Sequence, residues 1–207
     1  MMEVRKKPRQ QRSQDMVERI VTAARDMLNE QESKGLTTNA IAQKAGLSVG
    51  SLYQYFPNKE AILLELAQRW LAAFRPVSAF YAAKPRPENW AAFSSDFREF
   101  TRKIASVYAD NRAFLPTLEA MQSHPELRRI AKDHDRVIIE THAAWFLNAD
   151  PLLPADVASR LGMLVLETGN ICFTTALMQN GIVYDAIIDD VIIMNEALLR
   201  AHLRIPE

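Results

Sequence analysis

The stretch "AIAQKAGLSVGSLYQYF", residues 40–56, decides the fold. It holds two apolar patterns of helical period separated by "AGLS", residues 45–48. "TTNAIAQKA", residues 37–45, reads as a short helix capped by Thr37 or Thr38, whose hydroxyl can accept from an N–H of the first turn. Gly46 can take the left-handed conformation that stops a helix. Ser48 then caps a second short helix that reaches Phe56, and Pro57 halts it. Two short helices joined by a Gly-containing turn make a helix-turn-helix.

Such a pair cannot bury its own apolar face and needs support. Residues 13–30 supply it, with Ser13 as cap, Asp15 in the first turn, and Val17, Ile20, Val21, Ala24 and Leu28 on one face. On the other side, Asn58 caps a helix running through "KEAILLELAQRWLAAF", residues 59–74. "RPVSAFYAAKPRPEN", residues 75–89, carries Pro76, Pro85 and Pro87 and reads as a connector. Beyond it, Trp90, Phe93, Phe97, Phe100, Ile104 and Val107 repeat every three or four residues. "NRAFLPTLEAM", residues 111–121, is a shorter helix disturbed by Pro116. Leu127, Ala131, His134, Ile138, Thr141 and Trp145 form a further stripe between Pro125 and Leu147, and "ADPLLPAD", residues 149–156, breaks it. Two last helices span roughly 155–179 and 184–203. There is no strand-like alternation of any length. The expected fold is all-α: a basic arm (residues 1–11), a three-helix helix-turn-helix domain (12–58) and a larger helical domain (59–207).

On a wheel of 100° per residue, Leu52 and Phe56 point inward while Gly50 and Gln54 lie opposite them. Ser51 and Tyr53 sit at the sides, and Val49 and Tyr55 flank the core edge. The outer face is small, polar and aromatic, with no charge, which is unusual for a solvated helix and suits one pressed into the DNA major groove. Gln can pair with both N6 and N7 of adenine, Ser can reach either base type, and apolar groups can meet the thymine methyl. Tyr hydroxyls and Lys59 can hold phosphates, which fix register without reading sequence. Ser48 joins these candidates because N–H groups at capped helix starts favour phosphate. A helical corner that only packs has the same spacing, so the pattern alone leaves both readings open.

The run "RSQDMVERIVTAARDMLNEQESKGLTTNAIAQKAGLSVGSLYQYFPNKEAILLEL", residues 12–66, resembles the DNA-binding domain of the TetR (tetracycline-repressor) family of bacterial regulators. The threonine pair, "IAQKAGLSVGSLYQYF" and the following "NKEAI" occur together and in order. The resemblance implies DNA contacts by Thr37, Thr38, Asn39, Val49, Gly50, Ser51, Tyr53, Tyr55 and Lys59. Gln54 is added from the wheel and its position in the motif. The remaining three quarters of the chain resemble the family only in being helical and in ending with two helices suited to dimerisation.

Charge distribution agrees with a head that meets a polyanion. The net formal charge is zero, yet residues 1–60 hold ten Lys and Arg against seven Asp and Glu. Arg5, Lys6, Lys7, Arg9 and Arg12 all fall in the first twelve residues, although a solvated tail would look the same. The single cysteine, Cys172, excludes an intramolecular disulfide, and no apolar run follows the basic start, so the chain reads as cytoplasmic. Residues 161–178 approach the length of a membrane span, but Glu167, Asn170 and three threonines interrupt them, which fits a buried helix better. No catalytic set, phosphate-cradling loop, cofactor motif or metal cluster emerges, so an enzyme is not expected.

A helix-turn-helix monomer covers only a few base pairs, so binding a double-stranded operator calls for a homodimer. Residues 161–178 are apolar nearly all round and must be covered on every side, which makes the last two helices the expected interface. Residues 88–148 are rich in aromatics. Such stripes are usually plain core, but in a TetR-like protein the region commonly encloses a ligand. Candidate pocket residues are Phe93, Phe97, Phe114, Met121, His134, His142, Trp145, Glu167 and Phe173. The expected function is a dimeric repressor released from a palindromic operator by a small apolar or aromatic molecule. The alternative is a dimeric DNA-binding regulator without such an effector, controlled by a protein partner or by its own level.

Overall fold

The computed structural model describes residues 11–29, 36–112, 115, 125–179 and 183–207, and among these it places eight helices and no strand. They are α1 (Gln11–Asn29), α2 (Thr38–Lys44), α3 (Val49–Tyr53), α4 (Lys59–Ala82), α5 (Trp90–Asp110), α6 (Pro125–Ala149), α7 (Ala155–Met178) and α8 (Tyr184–Arg200). The fold is all-α. Residues 1–10 of the basic arm, most of the 111–121 segment, Phe114 and Met121 lie outside the described residues. The chain divides into two compact units, one drawn from residues 1–71 and 111–131 and the other from 72–110 and 132–207.

In the first unit, Val17, Ile20, Val21, Ala24 and Leu28 are buried at the spacing expected of α1. Ile41, Ala42, Leu52, Phe56, Ile62 and Leu66 complete this core. Ser13 is not the cap of α1, because the helix is already formed at Gln11. Arg69 ties α4 to α1, donating from Nη1 to Glu18 and from Nε to Glu65, each at 2.7 Å. The Arg69 hydrogen bond holds the Glu18 carboxyl below its ordinary range.

The second unit begins with a departure from expectation. The segment around Pro76 is not a connector, since α4 runs through it to Ala82. A proline inside a helix removes one backbone hydrogen bond and costs about 3 kcal/mol. Here Pro76 is exposed, while Ser78 and Tyr81 on the following turn are buried. Full burial of one large side chain recovers about 1.5–3 kcal/mol, so packing offsets the break. Around Tyr81 gather Phe93, Phe97, Phe100, Trp145 and Phe146, with Leu161 and Val165 of α7 and Leu199 of α8.

Helix α7 packs against α5 and α8 through Ala158, Leu161, Val165, Phe173 and Ala176. It approaches α6 closely at Gly162, where an added Cβ would stand 2.9 Å from the Ile139 carbonyl oxygen. Among the described residues α7 is the one helix long and apolar enough to cross a membrane. It is not covered on every side, however. Met163, Ile171 and Met178 are exposed on one face, as are Val183, Ile193 and Met194 at and along α8. Glu167 shares that exposed face.

Candidate nucleic-acid interface

Each short helix of the first unit is fixed by its own cap. Thr37, extended at φ −122° and ψ 156°, accepts the Ala40 N–H at 3.2 Å and opens α2. Helix α2 ends at Gly46, whose φ of 65° is left-handed. There the Leu47 N–H reaches back to the Ala42 carbonyl at 2.9 Å. Arg19 of α1 braces this turn from outside, donating Nη2 to the carbonyls of Ala45 at 2.7 Å and Gly46 at 3.2 Å. Ser48 then accepts the Ser51 N–H at 3.1 Å and opens α3. Asn58 accepts the Ala61 N–H at 2.9 Å and opens α4.

Helix α3 is shorter than expected. It closes at Tyr53, and the N–H groups of Tyr55 and Phe56 both turn back to the Leu52 carbonyl at 3.0 Å. The residue before a proline avoids the helical region, which is why the chain leaves the helix before Pro57. Gln54 keeps helical angles as the cap, so its place opposite Leu52 survives.

None of the DNA-contact residues proposed from sequence is buried. Thr37, Asn39, Ser48, Gly50, Tyr53 and Gln54 are exposed, and Thr38, Val49, Ser51, Tyr55 and Lys59 are half-buried. Thr38 and Tyr53 join α2 to α3 through hydroxyls 3.0 Å apart, and Ser48 and Ser51 hydroxyls lie 2.8 Å apart. Gly50 is the informative gap among them. A Cβ built there meets only the Ser48 hydroxyl, at 3.9 Å. Glycine in a helix costs about 1 kcal/mol relative to alanine. Among the described residues nothing else lies within 4 Å of that position, so the fold itself leaves room for a side chain there.

The described residues among those put forward for an effector pocket fall in different surroundings. Phe93, Phe97 and Trp145 pack on one another, with centroids 5.6 Å apart for Phe93–Trp145 and 6.1 Å for Phe97–Trp145. His142 is buried with both nitrogens engaged, Nδ1 3.4 Å from the Gly162 carbonyl and Nε2 3.4 Å from the Ser78 hydroxyl. Burial pushes its pKa down to about 4. Glu167 is exposed rather than interior, because the turn that carries it faces away from the buried Val165 and Gly169. His134 and Phe173 do lie in the interior, near residues not proposed from sequence. Phe74 stacks edge-on to His134 at 6.2 Å and lies 4.8 Å from Tyr108. Tyr108 in turn sits 5.7 Å from Phe173 and donates its hydroxyl proton to Asn170. Tyr108 stands out in the aromatic stripe of α5, but only packing shows that Asn170 is its partner.

Comparison with known proteins agrees with this geometry. Residues 20–66 match the family model "Bacterial regulatory proteins, tetR family", a span that contains every proposed DNA-contact residue. The chain is 33% identical over 108 residues to the tetracycline repressor protein class A from transposon 1721 of Escherichia coli, covering 48% of each chain. It is 37% identical over 93 residues to the class D tetracycline repressor of Escherichia coli, covering 45% of this chain and 41% of that one. The chain thus spans about half or less of these relatives' length. A regulator from Mesorhizobium loti MAFF303099, solved as a putative TetR-family protein, shares the fold over 94% of this chain and all of its own. The two superpose with a TM-score of 0.72 at 18% identity. A Syntrophomonas wolfei structure of the same description also gives a TM-score of 0.72, at 16% identity over 91% of this chain and 96% of that one. Its helix-turn-helix thus lies inside the segment that matches the tetR family model, and its fold is shared nearly end to end with these two structures.

Proposed function

We propose that this chain is a DNA-binding transcriptional regulator of repressor type, acting as a homodimer on a palindromic operator. The observation that carries the reading is the uncharged, exposed outer face of α3, left bare at Gly50 where the fold has room for a side chain. Gln54 reads a base edge from this face, Val49 and Ser51 meet neighbouring bases, and Thr37, Thr38, Asn39, Ser48, Tyr53, Tyr55 and Lys59 hold the backbone. The exposed Met163, Ile171, Met178, Ile193 and Met194 on α7 and α8 support the dimer, since an apolar face of this kind marks an association surface. Two chains would present two recognition helices to half-sites about 34 Å apart or further.

The regulator releases its operator when a small apolar or aromatic molecule occupies the second unit and favours a conformer whose recognition helices no longer match the groove spacing. A second reading, a regulator without such an effector, draws on the mutual packing of Phe93, Phe97 and Trp145, which gives those rings protein partners. Sedimentation of the full chain with a duplex carrying a selected site tests the central statement. Two chains per duplex are expected, and one chain per duplex, or no complex at 0.1 M salt, overturns it.

A further inference from the structure

His134 is 96% buried, yet its Nε2 has no hydrogen-bond partner among the described residues. Burying a polar group without a partner is unfavourable, and native proteins seldom tolerate it unless a ligand or water completes the set. His142, about two turns further along α6, shows the satisfied alternative, with a partner at each nitrogen. His134 Nδ1 lies 3.3 Å from the Asp135 carboxylate, which can only accept from it. In that tautomer Nε2 carries the lone pair, so the missing partner is a donor. The neighbours are aromatic: Phe74 meets the imidazole edge-on, and Tyr108 and Phe173 continue the row of rings. The Tyr108 hydroxyl is already committed to Asn170, and burial pushes its pKa up, so it keeps its proton and stays bound there.

We propose that His134 is the polar anchor of an effector site among Phe74, Tyr108 and Phe173, and that the effector is a planar aromatic molecule bearing a hydrogen-bond-donating hydroxyl. The rings supply apolar, edge-and-face contacts to the aromatic body. Nε2 accepts from the hydroxyl and fixes its orientation, in the usual pattern of an apolar site with few polar groups. The inference rests on reading the chain as a ligand-responsive regulator.

The test uses three probes of one shape: 2-naphthol, its methyl ether 2-methoxynaphthalene, and 2-naphthoate. Each is titrated calorimetrically into the full chain and into His134→Phe and His134→Gln. The wild type should bind 2-naphthol roughly tenfold or more tightly than the ether, the fold-change of one buried hydrogen bond left unmade. His134→Phe should abolish that preference, and His134→Gln, which keeps an acceptor oxygen, should retain part of it. Nitrogen NMR of the wild type covers the case of a variant that does not fold. The His134 Nε2 resonance should move with 2-naphthol and stay in place with the ether. Equal binding of naphthol and ether, tightest binding of the naphthoate, no binding of any probe, or a still Nε2 resonance would overturn the proposal. Operator affinity measured alongside separates the two levels. Binding of 2-naphthol through His134 without operator release sinks ligand-responsiveness and keeps the site. Release that persists in His134→Phe does the reverse.

Discussion

The hydroxyls of Thr38 and Tyr53 lie 3.0 Å apart, so the first residue of α2 and the last of α3 hold each other in place. Tyr53 is 40% exposed, and a phenol has one proton to give. If Thr38 donates to it, that proton is free for a DNA phosphate. Tyr53→Phe should therefore weaken binding to all sequences by about the same factor, roughly three- to tenfold. Thr38→Val should do nearly the same, and the double variant should lose less than the sum of the two, because they share one contact. Fluorescence anisotropy with specific and unrelated duplexes measures all three. Additive losses would show that the two hydroxyls act independently.

Gly50 separates stability from binding. Its Cβ position is open apart from the Ser48 hydroxyl at 3.9 Å, so Gly50→Ala should stabilise the first unit by up to about 1 kcal/mol. The same methyl stands between α3 and the groove, so operator affinity should fall at least tenfold. Thermal unfolding and anisotropy on one preparation give both numbers. A variant that gains stability and binds normally would remove Gly50 from the interface.

His142 makes stability depend on pH in a definite direction. Burial lowers its pKa from 6.5 to about 4 in the folded chain. Between those values the unfolded chain binds more protons than the folded one, so stability rises with pH across this window. It is fully present above about pH 6.5 and is lost as pH falls towards 4. Urea unfolding at a series of pH values should show up to one proton taken up on unfolding in this range. His142→Gln should reduce that uptake, and an unchanged slope would place the dependence on other groups.

Much of this architecture is legible in the chain. Residues 37–57 carry their own caps and stop, so α2 and α3 follow from Thr37, Gly46, Ser48 and Pro57, all local chemistry. Pro76 misleads because its cost is local and its compensation, the burial of Ser78 and Tyr81, is tertiary. In α7 an apolar residue reads alike whether covered, as Val165 is, or exposed, as Ile171 is at 63%. The carboxylate of Glu167 is the one hint on that face. His134 and His142 occupy similar places on an apolar stripe of α6. Only the elements packed against them reveal that one is satisfied and the other, among the described residues, is not.

The exposed apolar face of α7 and α8 makes a prediction of its own. Ile171 and Met194 are 63% and 54% exposed, so an acidic side chain there costs the monomer little, usually within about 0.5 kcal/mol. In a dimer the same charge would be buried without a partner. Ile171→Asp combined with Met194→Asp should therefore give a folded monomer by sedimentation, with operator binding lost. A double variant that stays dimeric would move the interface elsewhere.

The most direct measurement is selection from a random-sequence duplex pool with the wild type and with Gln54→Ala. The wild type should enrich an inverted repeat with two matching half-sites. Gln54→Ala should enrich the same repeat with preference relaxed at one base pair in each half-site, a loss of about 1–3 kcal/mol for the original operator. Enrichment of no sequence by the wild type, or an unchanged preference in Gln54→Ala, would contradict a recognition helix that reads DNA through the outer face of α3.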